Sequence, residues 1–130
     1  MTARQLSEVG ERLVRRCGTR DPFEIARQLG VEVLFCPDFG SMKGMYRVIK
    51  RNRFIFLDRD LTPQMQRIVC AHELGHALLH EEGMNHFSVN EKNVFTNTEY
   101  EANLFAVSLL FDDDQFNMPI SEMSNYILKS

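Results

Sequence analysis

The chain has 130 residues, 44% of them hydrophobic and 25% charged, with a net charge of −3. That composition fits one soluble globular domain with a single core, and a charge of this sign argues against a nucleic-acid footprint. No apolar run reaches the roughly 18 residues of a membrane span, and residues 1–8 lack the apolar stretch of a secretory signal. Cys17, Cys36 and Cys70 are odd in number and show no paired ligand spacing, so reduced thiols in a cytoplasm are expected. The charge is uneven: residues 1–60 carry twelve Lys/Arg against eight Asp/Glu, residues 61–130 three against ten.

Residues 5–16 place Leu6, Val9, Leu13 and Val14 at helical spacing, and Gly18 follows. Asp21-Pro22-Phe23-Glu24 reads as a capping box that opens a second helix, with Gly30 as the residue after its end. Residues 31–35 are rich in β-branched and aromatic side chains and predict a strand. This strand stands where a helix-turn-helix would need its recognition helix, which argues against that reading. Residues 45–49 and 54–57 predict a hairpin, with Asn52 as the residue tolerating a positive φ. Thr62-Pro63 then caps a long helix. After Glu82-Gly83 that helix is expected to stop, and residues 84–97 show little periodicity. Thr98 is a plausible N-cap for a helix over residues 99–111 that is apolar nearly all round and so should be buried. Asp112-Asp113-Asp114 should break it, and residues 121–128 predict a last short helix.

The long helix carries His72-Glu73-Leu74-Gly75-His76-Ala77-Leu78-Leu79-His80. His72 and His76, four apart, lie on one helix face about 6 Å apart along the axis and can reach one Zn²⁺ at about 2.0–2.1 Å each. Glu73 projects beside that point without binding there, where a general base would stand to take a proton from an attacking water. His80, about 12 Å along the axis from His72, is too far to share the ion and reads as a supporting or capping residue. A third ligand is still needed. Glu99 and Glu101, at the start of the buried helix, are both candidates, because a carboxylate in so apolar a helix is costly unless paired or metal-bound. They are separated by about 200° around the axis, so only one can face the His pair. Spacing alone puts Glu99 closer to the apolar face of Ala102, Phe105, Ala106 and Leu109.

The segment His72 to His80, followed by Glu101-Ala102-Asn103-Leu104-Phe105-Ala106, resembles the ImmA/IrrE-type metallopeptidases. Pro22-Phe23-Glu24-Ile25-Ala26 and Gly30-Val31 also fit, and the likeness covers roughly residues 20–111. The resemblance implies a small α+β, thermolysin-like zincin domain: N-terminal helices, a short antiparallel sheet, the HExxH helix and a buried glutamate-bearing helix. It implies zinc held by His72, His76 and Glu101, with Glu73 as the catalytic acid and base. It also implies a protein substrate, a helix-turn-helix repressor of a mobile element or stress response. Leu110-Phe111-Asp112 stands where the family often has Leu-Met-Pro. Tyr46, His86 and Tyr100 are candidates for stabilising the oxyanion by residue type alone. The rival expectation is a regulator that keeps the metal for structure and binds a repressor without cutting it; an intact Glu73 speaks against that.

Overall fold

The structure is a computed structural model and describes residues 1–80, 86–87 and 97–111. Helix α1 (Ala3–Cys17) starts at Thr2, whose hydroxyl accepts from the Gln5 amide while the Gln5 side chain accepts from the Thr2 N–H. It ends at Gly18, at a φ of 74° that suits glycine. Helix α2 (Pro22–Gln28) is capped by Asp21, whose side chain accepts from the Phe23 amide. Only half of the expected capping box forms. Glu24 turns forward to Arg27 and Gln28 instead, and those hydrogen bonds hold its carboxyl down at about 2.

Three strands follow, β1 (Val31–Cys36), β2 (Gly44–Ile49) and β3 (Asn52–Asp58), and then helix α3 (Pro63–Leu79). A two-residue strand β4 (His86–Phe87) and helix α4 (Asn97–Leu110) complete the described elements. The sheet order is β1-β3-β2-β4. The hairpin of β2 and β3 is antiparallel as expected, with Tyr46 opposite Ile55. Its tight turn puts the positive φ at Lys50 (50°) and Arg51 (70°), not at Asn52. A two-residue turn matched to the strand twist needs left-handed residues at both central positions, and here those are the two exposed basic residues.

The sheet is mixed, not antiparallel throughout. β1 pairs parallel with β3, Val33 opposite Ile55, because residues 37–43 carry the chain past β3 before β2 begins. The β4 pairing to β2 falls in a stretch without periodicity, where a loop was expected. Helix α3 ends at Leu79 with His80 as its C-cap, ahead of the stop expected at Glu82-Gly83. The break at Asp112-Asp113-Asp114 and the helix over residues 121–128 lie outside the described residues. Among the described residues, no helix is long and apolar enough to cross a membrane.

One face of the sheet, through Val31, Tyr46, Ile55 and Leu57, builds a core with Val69, Cys70, Leu74, Phe105 and Leu109. α4 lies between α1 and α3, and two glycines set how close it comes. A Cβ on Gly75 of α3 would stand 3.1 Å from the Ala102 Cα, so bare backbone there lets α3 and α4 nearly touch. On the other side, a Cβ on Gly10 of α1 would meet Ser108 Cβ at 2.9 Å and the Leu109 backbone nitrogen at 3.3 Å. Arg20 fastens the same corner, donating to the Ser108 and Leu109 carbonyls and to the Glu11 carboxylate. Ser108 must shift to admit the methyl, so Gly10→Ala should cost about 2–3 kcal/mol of overpacking, and the roughly 1 kcal/mol of helix propensity that alanine adds still leaves a net loss of about 1–2 kcal/mol. A urea midpoint unchanged from the parent would contradict this packing.

Candidate metal centre

Thr62 caps α3 by accepting from the Met65 amide, and Pro63 occupies its first turn, where the missing N–H costs nothing. From Ile68 to Ala77 every residue of this helix is buried, so its polar side chains sit where water cannot solvate them. His72, Glu73 and His76 are 2%, 0% and 0% exposed, a burial that is costly unless the groups serve one another or a ligand.

The two imidazoles meet on a carboxylate of α4. The Nε2 atoms of His72 and His76 lie 2.9 and 3.0 Å from a single oxygen, Oε2 of Glu99. One donor atom from each of the three residues can be chosen with all three within 4.8 Å of one another. Two imidazole nitrogens and one carboxylate oxygen, buried together, are a donor set that can hold a metal ion. Burial alone would raise the Glu99 carboxyl. The two imidazole hydrogen bonds outweigh it and hold the group down at about 2. Burial alone would likewise lower His72, but the Glu99 hydrogen bond, the Glu73 and Glu99 charges and the Asn103 side chain raise it. The carboxylate is thus kept ionised, ready to meet a cation.

The resemblance pointed to Glu101 at this place, and the structure puts Glu99 there instead. The rotation of α4 is fixed by Ala102, Phe105, Ala106 and Leu109, which turn into the core. Glu99 precedes Ala102 by three positions and so shares the face toward α3, while Glu101 falls on the flank. Glu101 has another place in the cluster. His80, the C-cap of α3, sets its Nδ1 3.1 Å from Nδ1 of His76 and its Nε2 2.9 Å from Oε1 of Glu101. A carboxylate–histidine pair behind a ligating imidazole fixes that ring's orientation and tautomer. Asn103, 3% exposed, is near His72, but its Oδ1 and the Nδ1 of His72 have no hydrogen-bond partner among the described residues.

Sequence reasoning missed Asn103, although it lies four residues after Glu99 and therefore on the same helix face. Of the candidates for oxyanion stabilisation, Tyr46 is buried in the core at 1% exposure and Tyr100 is 39% exposed on α4. The side chain of His86 lies outside the described residues.

The family model of the IrrE N-terminal-like domain, Peptidase_M78, matches residues 26–129. An uncharacterised immunity region protein 2 of Bacillus phage phi105 is 35% identical over 105 residues, a match covering 79% of this chain and 66% of the phage protein. Metallopeptidase ImmA of Bacillus subtilis (strain 168) is 28% identical over 118 residues, covering 89% of this chain and 69% of that protein. The chain thus spans just under two thirds of the length of the phage relative and slightly more of the second. No solved structure gives a significant match.

Proposed function

The chain belongs to the IrrE N-terminal-like family, and we propose that it is a zinc-dependent endopeptidase whose substrate is a helix-turn-helix repressor. The observation that carries this reading is the convergence of His72, His76 and Glu99 on one buried point, with Glu73 on the same helix beside them. The names of the two relatives, an immunity region protein and a metallopeptidase, support the substrate class.

In this reading His72, His76 and Glu99 hold the ion, which when bound supplies Lewis-acid polarisation of a peptide carbonyl. Glu73 takes a proton from the attacking water and returns it to the departing amide nitrogen. Its burial keeps that carboxylate away from bulk solvent. His80 with Glu101 keeps the His76 imidazole aimed. Co-incubation of the protein with a candidate helix-turn-helix repressor should give discrete fragments that a chelator abolishes and added zinc restores. A repressor left whole but released from its operator would favour the non-cleaving regulator.

A further inference from the structure

The face of the sheet turned away from α3 carries the alternate residues of each strand. Two cross-strand rows lie at its centre: Glu32, Phe54 and Arg47 in one, Leu34, Phe56 and Met45 in the next. Leu34 and Ile49 are each 38% exposed, and the rings of Phe54 and Phe56 stack with centroids 5.9 Å apart. Glu32 and Arg47 are both exposed, and they sit on opposite sides of β3. Two strand spacings, about 10 Å, separate their backbones. Neither makes an ion pair among the described residues.

We propose that this face binds a second copy of the chain, sheet against sheet, about a two-fold axis parallel to β3. That rotation lays β1 of one copy over β2 of the other and β3 over β3. Because Glu32, Phe54 and Arg47 share a row, Glu32 of each copy comes opposite Arg47 of the other. Leu34 comes opposite Met45, and Phe54 and Phe56 meet their own counterparts at the axis. An acidic and a basic residue placed symmetrically about an apolar centre make the patch complementary to itself, as an isologous contact needs it to be. A foreign partner would need no such antisymmetry. Packed sheets cross at about −30°, so contact is greatest at these two rows. It fades toward Asp58, whose Oδ1 is turned to accept from the Asp60 amide. Three short strands offer less than the roughly 800 Å² per partner of a standard interface, so the association should be micromolar.

Sedimentation equilibrium of the full chain over roughly 1–200 µM tests this, with circular dichroism confirming the fold of each variant. The parent should show a monomer–dimer equilibrium, and Phe56→Asp should be monomeric. Glu32→Arg and Arg47→Glu, both exposed substitutions, should each weaken the dimer by about 10-fold or more through like-charge contact. The double variant should return to within about threefold of the parent, because the swapped charges again face each other. A parent that stays monomeric throughout overturns the proposal. So does a double variant weaker than either single one, since only this two-fold sets Glu32 against Arg47.

Discussion

Glu73→Gln is expected to keep the fold and the metal while lowering peptide hydrolysis by about 10²–10⁴-fold, the contribution typical of a general base. Glutamine matches the shape of the buried side chain, so α3 should tolerate it. Glu73 is not one of the three residues whose donor atoms converge, so metal content should stay near that of the parent. What the substitution removes is the only proton acceptor that the mechanism assigns. Elemental analysis and cleavage rates on one preparation check both halves. A variant that cuts at the parent rate would remove Glu73 from the chemistry. One that loses its metal would make Glu73 part of the ion's support.

The second large effect separates two glutamates that are two residues apart. Glu99→Ala should abolish tight zinc binding, because two imidazoles alone leave the ion underheld. Glu101→Ala should cost no more than about 10–100-fold in affinity, as expected when a ligand's orienting partner is lost. That ordering rests on distances: Oε2 of Glu99 touches both ring nitrogens, whereas Glu101 reaches His80 and the N-terminal amine of Met1. Competition against a chelator of known affinity, at one pH, measures both variants. The reverse ordering would return Glu101 to the ion and leave Glu99 as its support.

Much of this arrangement was legible in the chain itself, for reasons tied to particular residues. Thr62-Pro63 and the buried run after it marked α3, because cap chemistry and helical spacing are local. His72 and His76 were legible for the same reason, since their relation lies within one helix turn. The choice between Glu99 and Glu101 depends on how α4 is rotated against α3. The apolar residues that set this rotation nearly encircle α4, so their periodicity points only weakly to one side. The helical position of Glu99 favoured it, and the family likeness outweighed that physical cue. The parallel pairing of β1 was hidden because a strand's side-chain pattern does not encode the direction of its neighbour. The positive φ at Lys50 and Arg51 was hidden because neither residue announces a left-handed backbone.

The meeting of His76 and Glu99 also joins two helices whose contacting residues are 23 positions apart. An ion held there clips the chain shut, so its binding free energy adds directly to the stability of the fold. With free zinc at about a thousand times the dissociation constant, that addition is roughly 4 kcal/mol. Whole domains of this kind are stable by only about 5–15 kcal/mol, so the ion sets how long a copy survives cellular proteases as well as whether it can react. If an ion is held there, a cell short of that metal is expected to hold fewer copies, because the metal-free form is more often open to proteases.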